Sequence, residues 1–177
     1  MKVFISTGGF SKLTGLQASN KLLKNKLKDV ELSGGLFENN SINKIAKLKK
    51  KLNFRIHNYF PPPQEPFVLN VASLDRDVAK KSMDHVYSSI KYCKKLNSDF
   101  YSFHAGFLCD PKINALGKKF FTKKLFNRNK CIKLFLKRIN KISKFAAKLN
   151  IKILIENNVL NSKYRPNENP FLMADEK

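Results

Sequence analysis

Three residues that can bind a metal ion or move a proton stand at the ends of short apolar runs. His57 closes the run FRIH, His104 lies within FYSFHAGF, and Glu156 closes IKILIE. Imidazole nitrogens and carboxylate oxygens bind divalent cations, and the same groups act as general acids and bases. Side chains at the ends of neighbouring parallel strands converge on one pocket. The pattern therefore predicts a metal or proton-transfer site.

The elements that would position these side chains follow from the spacing of the apolar residues. Five short runs rich in Val, Ile, Phe or Tyr predict strands at 2–6, 29–33, 53–57, 100–104 and 151–156. Apolar residues at helical spacing predict amphipathic helices at 12–28, 41–52, 75–97 and 128–149. Alternating strands and helices predict a parallel sheet, either doubly wound or part of a (β/α)8 barrel.

Two features favour the barrel. The turn STGGF at 6–10 lacks the G-x-G-x-x-G spacing, so a dinucleotide-binding fold has little support. In a barrel, functional side chains occupy the C-terminal ends of several strands, where the two histidines and the glutamate are expected. The four-proline segment 59–67 is then predicted to be a stiff rim loop, and 105–129 a long loop with room for a short helix.

The net charge of +22 is the strongest bulk feature of the composition. A basic surface attracts polyanions and would also steer an anionic substrate such as a sugar phosphate. However, the cations are 30 Lys and only 5 Arg, whereas geometric phosphate recognition favours the guanidinium fork. Lys, Asn, Ile and Phe are also abundant together, which is typical of an AT-rich coding sequence. The composition therefore favours codon usage over a polyanion partner as the explanation of the positive charge.

Compartment is predicted from the absence of a membrane span and from the cysteines. No apolar run approaches the roughly 18–20 residues that cross a bilayer, and MKVFISTGGF lacks the apolar region of a secretory signal. The three irregularly spaced cysteines, Cys93, Cys109 and Cys131, are expected to be free thiols that fill the core. We therefore expect a cytoplasmic protein without a membrane partner.

Four stretches of the sequence resemble the xylose isomerase-like TIM barrels. This superfamily includes sugar and sugar-phosphate isomerases and epimerases, together with the barrel-type apurinic endonucleases. The stretches resemble the second to fifth strands of the family and the loop after the third. They are VELSGG (30–35), IHNYFPPPQEPFVLNVAS (56–73), FHAGF (103–107) and ILIENN (153–158). In this order they cover essentially the whole chain.

The resemblance implies roles for particular residues. Glu156 matches a glutamate that commonly binds a divalent metal, and His104 matches a pocket histidine that is a metal ligand in the endonucleases. These two are the expected catalytic and metal-binding residues, with Mn²⁺, Mg²⁺ or Zn²⁺ as the cofactor. His57, Glu31 and Asn157 are expected to contact the substrate.

Two further polar residues are expected to be structural. Asn70 could orient a hydroxyl group, but support of a loop is the favoured role. His85 lies within a predicted helix and is expected to be a surface or packing residue.

The resemblance stops after the fifth strand, whereas a complete barrel has eight strands and about 250 residues. We therefore expect a single domain over 1–177 that is a partial (β/α)8 barrel. It would have about five parallel strands with helices outside and would lack the last three βα units. Its cation would then be weakly held or absent. The alternatives are a truncated chain, a barrel completed by a separate polypeptide, or a half-barrel that oligomerises through its exposed sheet edge.

Three functions remain open at this stage. The first is a sugar or sugar-phosphate isomerase or epimerase that uses metal-assisted proton transfer next to a carbonyl. The second is an apurinic endonuclease-like, metal-dependent DNA phosphodiesterase, and the third is a non-catalytic half-barrel that acts by association. The sequence favours the first, because its lysines are spread along the chain and PPPQEP lengthens a loop that the endonucleases keep short.

Overall fold

The computed structural model describes residues 2–115, 125–159 and 168–174. The strands are β1 (Ile5–Ser6), β2 (Asp29–Leu32), β3 (Asn53–His57), β4 (Phe100–His104) and β5 (Lys152–Glu156). The α-helices are α1 (Gly15–Lys24), α2 (Ser41–Ala46), α3 (Arg76–Leu96) and α4 (Arg128–Lys148). Two short 3₁₀ turns cover Thr7–Gly9 and Ile113–Ala115.

The five strands form one sheet in the order β1-β2-β3-β4-β5, and every neighbouring pair is parallel. A doubly wound sheet reverses its strand order at a switch point, whereas a barrel adds strands in the order of the sequence. This order contains no reversal. The α/β fold with five parallel strands, expected from the sequence as part of a TIM barrel, is confirmed.

The two faces of the sheet have different chemistry because side chains alternate along each strand. One face packs into the apolar core, and its central residues are at most 4% exposed: Val30, Leu32, Phe54, Ile56, Tyr101 and Phe103. Full burial of each such side chain contributes about 1.5–3 kcal/mol. The opposite face, called the inner face here, carries Glu31, Arg55, His57, Ser102, His104, Leu154 and Glu156. All expected site residues within strands therefore lie on one face.

Two helices are shorter than their apolar patterns predict. Helix α1 begins after Thr14, whose hydroxyl accepts from Gln17 N while Gln17 Oε1 accepts from Thr14 N. This reciprocal capping fixes the start of the helix. Helix α2 ends at Ala46, but successive tight turns continue the winding as far as Leu52, which is 3% exposed. The apolar pattern therefore continues beyond the last residue of the regular helix α2.

The long connections agree with the predicted loops where they are described. Residues 59–67 contain neither helix nor strand, and the Tyr59 hydroxyl accepts a hydrogen bond from Phe67 N. In the predicted loop 105–129, the short 3₁₀ turn Ile113–Ala115 is present, and 116–124 lies outside the described residues.

The three cysteines are free and buried, as expected. Burial raises the pKa of both Cys93 and Cys109 to about 12, so these thiols stay protonated and act as small core residues. In the part of the chain that the structure describes, none of the helices combines the length and the apolarity that crossing a membrane requires.

Candidate metal centre

The last residues of three adjacent strands meet at the C-terminal edge of the sheet. His57 ends β3, His104 ends β4 and Glu156 ends β5. The parallel register places His104 opposite Glu156 and His57 opposite Ser102. One ligand atom from each of the three residues lies within 4.8 Å of the others. The structure therefore brings His57, His104 and Glu156 into one cluster, called the rim triad below.

His57 is held by contacts to β4 and β5. Its Nδ1 atom lies 2.9 Å from Ser102 Oγ and 3.3 Å from Glu156 Oε1, and its side chain is 15% exposed. A proton on Nδ1 is favoured by the carboxylate, which can only accept a hydrogen bond. That arrangement leaves the electron pair of His57 on Nε2, where a metal could bind.

His104 stands edge-on to His57, with 5.4 Å between the ring centroids. Burial, followed by the neighbouring His57, lowers the pKa of His104, and the charge of Glu156 opposes this shift. Its Nδ1 atom is buried and has no hydrogen-bond partner among the described residues. A neutral imidazole whose Nδ1 has no hydrogen-bond partner is able to bind a metal through that nitrogen.

The backbone turn behind His104 is supported by Asn70. Asn70 is fully buried, and its amide donates to the carbonyl oxygens of Phe107 and Cys109 while its Oδ1 accepts from Phe107 N. Gly106 has φ +112°, and a Cβ at that position would lie 2.5 Å from Asn70 Oδ1. This is the loop-supporting arrangement that the sequence favours for Asn70.

The same support extends from Asn70 to helix α4. Asp110 accepts hydrogen bonds from Asn70 Nδ2 and from the Ser73 hydroxyl. Arg138 on α4 donates to the carbonyl oxygens of Val71 and Ser73 at 2.7 and 2.8 Å. The connections after β3 and β4 are therefore fixed to each other and to α4 by partly buried polar contacts.

The other expected residues lie outside the rim triad. Glu31 is on the inner face of β2 and is the register partner of Arg55. Arg55 precedes His57 by two residues, so Glu31 lies closer to the N-terminal edge of the sheet than the triad does. Asn157 directly follows Glu156 and is exposed. Substrate contact by either residue stays a prediction.

His85 lies in α3 and stacks on the Tyr59 ring at 5.3 Å, with Phe67 edge-on at 5.9 Å. It is therefore a packing residue, one of the two roles expected from the sequence.

Sequence reasoning overlooked two inner-face residues near the triad. Ser102 precedes His104 by two positions, and Arg55 precedes His57 by two, so strand alternation alone would have placed them on this face. The Arg55 guanidinium lies between the rings of Phe4 and Phe100, 3.8 and 4.1 Å from their centroids. Arg55 therefore places a fixed positive charge on the inner face, two residues before His57.

The rim triad has the donor set of a divalent metal site. Two imidazoles and one carboxylate suit Zn²⁺ or Mn²⁺, and three protein ligands leave coordination positions open for water or substrate. The unpartnered Nδ1 of His104 supports this fit. The arrangement could bind an oxygen-bearing substrate and place a carboxylate beside it.

Comparisons with known proteins place these observations in a family. A family model described as "Xylose isomerase-like TIM barrel" matches residues 25–165, which include all three triad residues. A probable endonuclease 4 from Sulfurihydrogenibium sp. (strain YO3AOP1) is 34% identical over 59 residues, which are 33% of this chain and 20% of that protein.

Solved structures share the fold at low sequence identity. A D-tagatose 3-epimerase-like protein superposes with a TM-score of 0.67 and 18% identity, covering 92% of this chain and 55% of that chain. An IOLI protein with a bound zinc atom gives a TM-score of 0.60 and 10% identity, covering 90% of this chain and 52% of that one. The chain thus spans about half the length of these structures.

Proposed function

The chain belongs to the xylose isomerase-like TIM barrel family, and from this we propose that the rim triad holds a divalent cation in a sugar or sugar-phosphate isomerase or epimerase. One observation carries the proposal. His57, His104 and Glu156 come from three separate strands, yet their ligand atoms lie within 4.8 Å of one another. The similarity to a D-tagatose 3-epimerase-like structure supports sugar chemistry over other reactions of the fold.

The expected reaction moves a proton at a carbon next to a carbonyl. A bound cation would polarise the substrate oxygens and stabilise the negative charge that develops there. The Glu156 side chain is 43% exposed, so a substrate can reach its carboxylate, which would act as a metal ligand or as the proton acceptor. His57 would be oriented by Ser102, and His104 would stay neutral in its half-buried position.

Metal binding provides the first experiment, because it does not require turnover. We expect one Mn²⁺ per chain in isothermal titration calorimetry, held weakly because the triad supplies only three protein ligands. Substitution of His104→Ala should weaken binding by at least about 100-fold, whereas Glu31→Gln on the same sheet face should not. Equal affinity in the wild type and the His104→Ala variant would disprove the metal site.

Substrate class can be tested separately. Ketose phosphates should alter the water-proton relaxation of the Mn²⁺ complex, because the sugar oxygens replace bound water. Deuterium incorporation next to the carbonyl would then report the reaction, which we expect to be slow in this chain. Glu156→Gln should abolish exchange, since an amide cannot accept the proton. If no ketose phosphate changes the water-proton relaxation of the Mn²⁺ complex, that result would argue against the sugar assignment.

An apurinic endonuclease-like activity is the second candidate, favoured by the short match to the endonuclease 4 relative. The same triad would then hold cations that stabilise attack on a phosphodiester. Incision of a duplex with one abasic site, compared with the undamaged duplex, tests this candidate. Preference for the lesion that is lost in His57→Ala would support it over the sugar reaction.

Two expectations from the sequence remain proposals. We propose a cytoplasmic location and association through the edge of β5 that β4 does not cover, since β5 pairs only with β4 among the described strands. Sedimentation at several protein concentrations tests the association. A monomer at all concentrations would exclude it, and would also weigh against the half-barrel that acts by association alone.

A further inference from the structure

Six lysines of α4 form a straight line along the outside of the helix. They are Lys130, Lys133, Lys137, Lys141, Lys144 and Lys148, and all six are exposed. Their steps of three and four residues average one helical turn, so they lie within an arc of about 80°. At 1.5 Å per residue the row is about 27 Å long. This row is called the lysine stripe below.

The exposed face of α4 is divided between charged and neutral residues. Beside the stripe runs a second exposed row without charge: Asn129, Leu136, Asn140, Ser143 and Ala147. A bias towards lysine codons would place lysine at any solvent-facing position. Here lysine occupies one half of the exposed face and is absent from the other half. The restriction argues that the position of the lysines has a function.

The acidic residues that the structure describes do not compensate the charge of the stripe. The sequence contains no Asp or Glu between Asp110 and Glu156, so α4 has no acidic residue of its own. Helix α3, against which α4 packs through Tyr87 and Phe145, contributes only Asp77 and Asp84 along its length. No stripe lysine has an ion-pair partner among the described residues, where the lysine pairs involve Lys44 and Lys80.

We propose that the lysine stripe is a docking surface for the phosphate backbone of a nucleic-acid duplex. Its length matches about eight base pairs at 3.4 Å per step. Lysines are point charges that contact phosphates without reading bases, so the binding is independent of sequence. Six of the 30 lysines of the chain form this continuous row on one helix face.

Other polyanionic surfaces fit the stripe less well. A membrane-surface helix inserts an apolar face, but the apolar face of α4 is packed into the core through Cys131, Phe135, Ile142 and Ala146. Single strands bind on exposed aromatic rings, and the large exposed apolar side chain on α4 is Leu136. Lysine is depleted from protein–protein interfaces, which weighs against an acidic protein.

The stripe lies on the outer helix layer, whereas the rim triad lies on the inner face of the sheet. Docking there is therefore independent of the proposed reaction, and the two can fail separately. Metal binding at the triad provides the internal control, because stripe substitutions should leave it unchanged.

A matched pair of charge variants tests the proposal. The stripe variant replaces Lys133, Lys137, Lys141 and Lys144 with Gln. The control variant makes the same change at four exposed lysines of α1 and of the turns after α2: Lys24, Lys47, Lys50 and Lys51. Both lose four charges, so any difference between them reports position and not net charge. Circular dichroism and Mn²⁺ titration confirm that each variant is folded.

Binding is measured by fluorescence anisotropy with a labelled DNA duplex of about 16 base pairs, twice the length of the stripe, over a range of KCl concentrations. With six phosphate contacts, the wild-type slope of log K against log salt should be about −5. The stripe variant should lose about three to four units of that slope, and the control variant less than one. Equal losses in both variants would overturn the proposal, because net charge alone would then explain binding.

Vesicles of phosphatidylcholine and phosphatidylserine provide the competing surface. We expect the duplex to bind more tightly than the vesicles at equal salt. Stripe-dependent binding of vesicles in preference to the duplex would overturn the nucleic-acid assignment and identify a membrane surface instead.

Discussion

The Nδ1 atom of His57 lies 2.9 Å from Ser102 Oγ, so a side-chain hydrogen bond joins β3 to β4 directly beside the rim triad. The two residues are also register partners in the sheet. This partner fixes the ring orientation, while the acceptor-only Glu156 carboxylate favours a proton on the same nitrogen and leaves the other nitrogen to bind a metal.

Removal of this hydroxyl should weaken metal binding without unfolding the protein. For Ser102→Ala we expect Mn²⁺ or Zn²⁺ affinity about 10- to 100-fold lower, because the His57 ring is no longer oriented. Ser102→Thr retains the hydroxyl and should restore most of the affinity. Titration calorimetry measures both, with Ser143→Ala on the exposed side of α4 as the control. Wild-type affinity in Ser102→Ala would show that the bond has no role in the site.

Gly106 should not tolerate a side chain. Its φ of +112° disfavours other residues, and a Cβ would meet Asn70 Oδ1 at 2.5 Å. We expect Gly106→Ala to lower the free energy of unfolding by at least about 2 kcal/mol, from backbone strain and overlap together. Gly9→Ala is the control, because a Cβ there meets no atom within 4 Å. Urea unfolding curves give both values, and similar stability of the two variants would contradict the close contact.

His85 should make the stability depend on pH between 6.5 and 4. Burial lowers the pKa of His85 to about 4, while a backbone hydrogen bond with Asn58 opposes the shift. The unfolded chain therefore binds the proton first as pH falls. Stability that is present above pH 6.5 is lost towards pH 4, by on the order of 3 kcal/mol.

The measurement is urea unfolding at several pH values for the wild type and His85→Phe. Phenylalanine keeps the ring against Tyr59 but cannot be protonated. We expect the stability difference between the two proteins to change across this pH range and to be constant above it. A constant difference from pH 7 to pH 4 would mean that His85 titrates normally.

Arg55 should not be replaceable by lysine. Its planar guanidinium is covered on both faces by Phe4 and Phe100, whereas an ammonium cannot stack between two rings. We expect Arg55→Lys to cost about 1–2 kcal/mol, and Arg76→Lys at the exposed start of α3 to cost almost nothing. A double-mutant cycle with Phe100→Leu isolates the contact, and additive effects would show that the rings and the guanidinium do not interact.

Strand positions and the clustering of the rim triad could be predicted from sequence because both depend on local patterns. The bounds of β3 and β4 match the predicted 53–57 and 100–104, since each run is apolar and ends at a polar residue. Strand β1 is shorter than predicted because only Ile5 and Ser6 pair with β2 at that edge of the sheet. The convergence of the triad followed from strand ends alone.

The contacts around the triad could not be predicted in this way. Asn70, Asp110 and Arg138 are far apart in the sequence, and their bonds depend on how two loops and α4 pack. The Thr14–Gln17 capping pair was visible as T-x-x-Q and would have placed the start of α1 correctly. The separation of lysines from uncharged residues on α4 was also present in the sequence. It can be interpreted only when the buried side of the helix is known, because that side defines which positions are exposed.

The sequential order of the strands has a consequence for how this protein is made. Each strand pairs with the strand that immediately precedes it in the chain, so no pairing must wait for a distant segment. During synthesis, every new strand–helix unit can dock on the unit that left the ribosome just before it. Each pairing closes a segment that contains one helix, and the growing edge of the sheet is always the most recently translated one.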